Sequence, residues 1–317
     1  MSAAVLDCST AAGLGDLVRL RELRAVGASW GSLTCTLAAT GGHLDCLTFA
    51  RNDGCPWDSA TCASAAAGGH LDCLTFAHEN GCPWDAHTCT DAAANGRLEC
   101  LAYAHENGCP WGPATCEAAS QNGRLDCLKH LHANGCPWDS RTTEAAAREG
   151  HLQCLAYAHE RGCPWTHVAC EYAARSGHLR CLAYAHERGC PWTHVACEYA
   201  AFGGHLDCLA YAHEKGCPWD IWTYWTAYNR GHLDCLEYAR DRGCPSAFVL
   251  YDVVRDHLDL RRASAIVVSR ACRAWLAGRR ADVALVLAGR LPVGALGACR
   301  PQTPCPAKRM HTTGILS

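Results

Sequence analysis

Between residues 30 and 245, small, apolar and polar positions recur with a single period of 27 residues. Tryptophans at 30, 57, 84, 111, 138, 165, 192 and 219 mark it, without insertion or deletion. The second copy, WDSATCASAAAGGHLDCLTFAHENGCP at 57–83, shows the internal pattern. The run Ser59 to Ala67 holds only Ala, Ser, Thr and Cys. Small side chains on every face suit a helix packed closely on both sides, and Asp58 is placed to cap it. Gly68-Gly69 ends that run. From His70 to His78 the pattern changes: Leu71, Leu74 and then Ala77 or His78 follow the stripe of an amphipathic helix. Asp72 falls in its first turn, where negative charge suits the helix dipole. Gly81 stands just past this helix, with a glycine at the same place in all eight copies, and Pro83 prevents continuation. Trp84 recurs whatever surrounds it, so it is expected to fill the seam between units.

Each unit therefore predicts two short helices, and the chain predicts an array in which a unit touches only its neighbours. The sixth and seventh copies, 165–191 and 192–218, differ at only four positions, as a recent whole-unit duplication would leave them. Residues 1–29 read as a degenerate capping unit, with Cys8 one period before Cys35. Residues 246–280 are expected to form capping helices, with Ile266, Val267, Ala271 and Trp275 on a stripe. They include a further decayed unit around Asp256-His257-Leu258-Asp259-Leu260. Residues 281–317 read as a basic, flexible tail.

The stretch Ala65-Ala66, Gly69-His70-Leu71, Leu74 and Gly81-Cys82, repeated over 30–245, resembles the ankyrin repeat family. The resemblance implies an all-α, ankyrin-like solenoid of about ten helix-pair repeats. It also implies a non-enzymatic protein–protein interaction scaffold with a protein partner. The unit departs from the family: it is shorter than the usual ~33 residues, and positions 60–63 read Ala-Thr-Cys-Ala where the family has its Thr-Pro-Leu-His segment. The missing residues fall where the family carries a β-hairpin, so hairpins are expected to be reduced or absent. Short units marked by cysteine and tryptophan are also similar to ankyrin arrays of large DNA viruses of amoebae, which would imply the host cytoplasm.

Composition narrows the function classes. With 49% apolar and 19% charged residues the chain is of globular type. No apolar run reaches the ~18 residues of a membrane span, since Arg290 and Pro292 interrupt 283–299. No basic flank precedes an apolar core at the N-terminus, so a cytoplasmic, monomeric protein without a membrane partner is expected. Residues 1–245 carry 17 Lys/Arg against 27 Asp/Glu, while residues 246–317 carry 11 against 4. An acidic body is unsuited to gripping nucleic acid.

Of the 26 cysteines, 23 fall at three unit positions, those of Cys62, Cys73 and Cys82. No Cys-x-x-Cys occurs, and buried structural thiols are the first reading. The alternative is a multi-site metal or thiol-binding protein using His78 with Cys82 and His105 with Cys109. Otherwise these histidines are expected over the last carbonyls of the second helix. Phosphate-loop, dinucleotide, nucleophile-elbow and zinc-protease motifs are missing, so no enzyme and no cofactor is expected. A second alternative, a ubiquitin-ligase substrate adaptor, rests on a faint F-box-like start at Leu291-Pro292 and Leu296. Variation between units concentrates on the first helices. His167, Tyr172, His194, Tyr199, Phe202, Trp222 and Trp225 are the candidate partner-binding residues. The larger rings among them could equally fill the groove between first helices.

Overall fold

The computed structural model describes residues 7–244, which form eighteen α-helices, numbered α1 to α18 in chain order; none of these residues is in a strand. The helices come in nine pairs, each pair one unit. The first, α1 (Cys8–Gly13) and α2 (Leu17–Ala25), is followed by eight more, from α3 (Ser32–Thr40) and α4 (Leu44–Asn52) to α17 (Ile221–Arg230) and α18 (Leu233–Asp241). The capping helices expected at 246–280, the tail at 281–317 and the F-box-like start lie outside the described residues.

Local sequence explains each boundary. In the second copy, α5 spans Ser59–Gly68 and the Asp58 side chain accepts the Ala60 N–H at 3.1 Å. Asp85, Asp139 and Asp220 cap α7 (Ala86–Asn95), α11 (Ser140–Arg148) and α17 in the same way, and Thr166 and Thr193 do so for α13 (His167–Ser176) and α15 (His194–Gly203). The second helix begins one residue later than the pattern suggests: α6 spans Leu71–Glu79, with His70 at its N-cap. His70 makes no cap bond. Its Nε2–H reaches back to the Thr40 carbonyl of the preceding unit at 3.1 Å, and His232 does the same to Phe202 at 3.1 Å. Where arginine replaces histidine, Arg97 and Arg124 donate to Ala67 and Ala94, each at 3.2 Å. These bonds tie neighbouring units together. They also explain one glycine: at Gly204 φ is +76°, and an added Cβ would lie 2.5 Å from His232 Nδ1.

First helices pack on first helices more closely than second helices pack on second helices. The difference follows from side-chain size. Ala, Thr and Cys line the first-helix seam, with Ala65, Ala66, Ala92 and Ala93 fully buried. The second helices each bury one leucine of the row that includes Leu47, Leu74, Leu101, Leu128 and Leu155, all fully buried. The remaining space on that side is filled by aromatic rings. No helix among the described residues is long and apolar enough to cross a membrane.

Candidate functional site

Two arrangements carry chemistry: the ring and thiol ladders inside the array, and the face of α13, α15 and α17.

At each seam the tryptophan lies beside an aromatic of its own unit, as Trp84 does with Tyr103 at 6.4 Å. The histidine at the end of the preceding second helix stacks on it. His78 lies 3.7 Å over Trp84 with 11° between planes; His105/Trp111, His132/Trp138, His159/Trp165 and His213/Trp219 repeat the stack. In the earliest seams Arg24 and Arg51 take the histidine's place, 3.9 and 4.2 Å from the ring centres of Trp30 and Trp57. The histidines thus do not sit over the helix-end carbonyls, as sequence led us to expect. The Cys-Pro-Trp loop folds the indole back beside the helix end and offers the imidazole a face to cover. Nδ1 of His132, His159 and His213 then hydrogen-bonds the hydroxyl of Tyr157, Tyr184 and Tyr238 in the next unit, at 3.0 to 3.2 Å. His186 breaks the series. Its ring stands 88° to Trp192, and both its nitrogens and the Tyr211 hydroxyl are buried without a partner.

Burial lowers the pKa of His159, His186 and His213 below the ordinary histidine value. A depressed histidine stabilises the fold above the unfolded value of about 6.5, and that stability is lost as pH falls through it. The urea midpoint is therefore expected to drop between pH 7.5 and pH 5. A midpoint that holds or rises would mean that imidazolium–indole attraction outweighs desolvation at these seams.

All 23 described cysteines are buried, and none is in a disulfide. The Cys73 type points into the helix-pair core, and burial pushes Cys73 up to about 12 and Cys100 up to about 11. The other two types meet. Between Cys62 and Cys82, 20 residues apart in one unit, thiol hydrogen bonding pushes Cys62 up and draws Cys82 down. Cys82 Sγ in turn donates to the Asp58 carbonyl at 3.2 Å. Pairs 35/55, 89/109, 116/136, 170/190 and 197/217 repeat this. In the fifth copy Thr143 replaces the first cysteine and donates to the Pro164 carbonyl at 3.0 Å; burial, with Asp139 nearby, pushes Cys163 up to about 12. The constant separation of 20 was legible in sequence, but spacing in the chain does not say that two residues face each other across a helix pair. The metal alternative at His78/Cys82 and His105/Cys109 finds each member engaged elsewhere: the imidazoles stack on indoles, and Cys82 and Cys109 bond the Asp58 and Asp85 carbonyls. Among the described residues no group of three or more His, Cys, Asp or Glu side chains could hold an ion.

The candidate partner residues fall on three first helices that are consecutive in the array: His167 and Tyr172 on α13, His194, Tyr199 and Phe202 on α15, Trp222 and Trp225 on α17. His167, His194 and Trp222 are exposed; Tyr172, Tyr199, Phe202 and Trp225 are half-buried. Arginines outside this candidate set join them. Arg148 lies over Tyr172, Arg175 over Tyr199 and Phe202, and Arg230 over Phe202 at 3.8 Å. Arg148, Arg175 and Phe202 occupy the same unit position, one period apart, which was the available signal. Trp222 and Trp225 meet edge to face at 5.6 Å. Tyr224, beside them in sequence, is fully buried at the place of the first pair cysteine. Acidic groups border the rings. Thr193 donates to Glu171 at 2.7 Å, whereas Asp220 stands where the next threonine would be, and burial together with Asp220 raises the pKa of Glu198.

The array of helix pairs, with two- or three-residue turns inside each pair and, from the second pair on, Gly-Cys-Pro-Trp loops between pairs, defines the class: an α-helical repeat protein whose pairs are consistent with ankyrin repeats. No family model matches the chain, and no curated protein matches it. Among solved structures, the crystal structure of the human ASB11 ankyrin repeat domain is similar at 20% identity, over 50% of this chain and 84% of that one, with a TM-score of 0.44.

Proposed function

We propose that the protein is a non-enzymatic, monomeric interaction scaffold that binds a protein partner through the first-helix face of α13, α15 and α17. One observation carries this reading: exposed and half-exposed rings gather on three successive first helices and are backed by arginines. Ile221 and Trp222, each 37% exposed, are large apolar side chains left at the surface there. Tyr, Trp and Arg are the side chains that most often anchor an interface. In the second to fourth copies the corresponding first helices carry mainly Ala, Thr, Ser and Asn instead.

The test compares capture from source-cell lysate by the native chain and by a variant with His167→Ala, His194→Ala and Trp222→Ala. Loss of a captured protein is expected, with stability changed by no more than about 0.5 kcal/mol per site, as for surface positions. Undiminished capture by the variant would move the interface elsewhere. No observation favours the ligase adaptor.

A further inference from the structure

The acid and ring cluster where the seventh copy meets the eighth has an occupied counterpart earlier in the array. In two seams a glutamate of one first helix is matched with an aspartate cap of the next: Glu117 with Asp139 and, three periods on, Glu198 with Asp220. The two glutamates between them meet threonine caps, Glu144 accepting from Thr166 at 2.9 Å and Glu171 from Thr193 at 2.7 Å. At the first acid pair the chain supplies a guanidinium. Arg141 donates from Nη2 and Nε to Asp139 Oδ2 at 2.9 and 3.1 Å, and its Nη1 lies 3.5 Å from Glu117. At the second pair Trp222 holds the arginine's position. Among the described residues no lysine or arginine forms an ion pair with Glu198 or Asp220. His194, with Nε2 4.0 Å from Asp220, carries charge only when protonated. Neither glutamate is satisfied from beneath. Thr36 with Thr61 and Thr90 with Thr115, each 25 residues apart, bond hydroxyl to hydroxyl at 3.4 and 3.2 Å. Thr142 and Thr223 stand at the same separation after Glu117 and Glu198, yet both hydroxyls are buried without a partner. Arg141 holds Asp139 below the usual aspartate range, whereas burial and Asp220 push Glu198 above the usual glutamate range. One acid pair is neutralised and the other is not.

We propose that Glu198, Asp220, Trp222 and Trp225 form a seat for an arginine side chain of the protein partner, whose guanidinium takes the place that Arg141 fills at Glu117 and Asp139. The assignment rests on the interaction face of α13, α15 and α17 proposed above, and makes the segment that docks there basic. The unneutralised pair has the rings that the first pair lacks. Asp220 accepts the Trp222 N–H at 2.9 Å, which holds the carboxylate beside the start of α17, and Trp225 meets Trp222 edge to face. Arginine matches both halves of the seat: its planar fork suits carboxylates, and its flat face stacks on indole. The array uses both contacts internally, the first at Arg141 and the second where Arg24 and Arg51 lie 3.9 and 4.2 Å from the ring centres of Trp30 and Trp57. The ammonium of lysine has no face to stack. A metal ion fits less well still, since among the described residues no group of three or more His, Cys, Asp or Glu side chains could hold one. The excess of 27 Asp/Glu over 17 Lys/Arg in residues 1–245 draws a basic segment toward this body.

The experiment selects binders to the full chain from a displayed library of random peptides and measures the enriched sequences as synthetic peptides. Each is expected to carry an arginine that binding requires. Replacing that arginine by citrulline keeps the planar shape and removes the charge, and should weaken binding by about tenfold or more. Glu198→Gln with Asp220→Asn should weaken the arginine peptide by a similar factor while the helical signal is kept, because asparagine caps α17 as aspartate does. In that double variant the arginine and citrulline peptides should bind alike, since both changes remove one and the same interaction. Enrichment of no peptide, or of peptides that bind without arginine, overturns the proposal. So does a citrulline penalty of equal size in the native chain and the double variant, which would put the arginine at another place. Peptides that are lost with His167→Ala, His194→Ala and Trp222→Ala but indifferent to Glu198→Gln and Asp220→Asn would remove the arginine seat and leave the interaction face standing. Peptides indifferent to both sets of changes would remove both.

Discussion

Replacing Leu128 by Ala is expected to destabilise the array by about 2–5 kcal/mol and to divide its unfolding into two transitions. Leu128 is fully buried in α10 (Leu125–Ala133), which packs on α9 (Pro113–Gln121) in its own unit and on the second helices α8 (Leu98–Glu106) and α12 (Leu152–Glu160) on either side. The loss combines the transfer term for three carbons with a cavity the neighbours cannot close, because the backbone around it is tied by the His and Arg bonds between units. Leu131 stands one turn away where the other copies have Ala, and His130 takes the place of their Phe or Tyr. A larger core residue beside a smaller seam residue makes this unit the one most dependent on its leucines. In a linear array stability is the sum of unit terms and nearest-neighbour interfaces. A weakened fourth copy therefore uncouples the pairs before it from those after it. Urea unfolding followed by tryptophan fluorescence, with limited proteolysis mapped across 111–137, reads both effects. A single transition at the native midpoint would mean that stability is not carried by these stacked leucines.

The second large effect is expected at high pH: far-UV helical signal should be lost cooperatively between about pH 9 and pH 11. The cause is the Cys73 row. Burial pushes Cys127, Cys154, Cys181 and Cys235 up to about 11 and Cys208 up to about 12, while an unfolded thiol titrates near 8.5. A thiol raised in the native state holds its proton there after the unfolded chain has lost it. Its contribution is therefore complete below the unfolded value and disappears as pH climbs toward the native one. Tyr184, Tyr211 and Tyr238 are raised by burial as well and act in the same direction. Replacing Cys127, Cys154 and Cys181 together by Val keeps a small apolar side chain and removes three titrating groups. The midpoint of alkaline unfolding should then move up. Coincident curves for the native chain and the triple variant would place the alkaline limit elsewhere.

Much of the fold was legible in the chain, for identifiable reasons. The 27-residue period fixes the unit. Asp58 and its equivalents, Gly68-Gly69, Gly81 and Pro83 place helix starts and stops to within about one residue, because capping and left-handed turns are local chemistry. The absence of strand among the described residues agrees with the missing hairpin residues. The histidines were misplaced because a helix-end imidazole has two favourable local options, a carbonyl or a ring face. The choice depends on where a loop carries Trp84 six residues later. The candidate partner residues could be named by type, but not sorted: the same aromatic chemistry leaves Trp222 at the surface and buries Tyr224 two residues on.

The sequence by itself determined the repeat, the two helices in each unit, the all-helical class and the three cysteine positions. These follow from side-chain size, caps and periodicity within one unit. Only the tertiary structure decided which side chains meet: Cys62 with Cys82, His132 with Tyr157, His70 with the Thr40 carbonyl, Arg175 with Phe202. Such partners lie about 20 to 30 residues apart, across a helix pair or a seam. Their meeting depends on the angle at which one rigid unit settles on the next, and no local pattern encodes that angle.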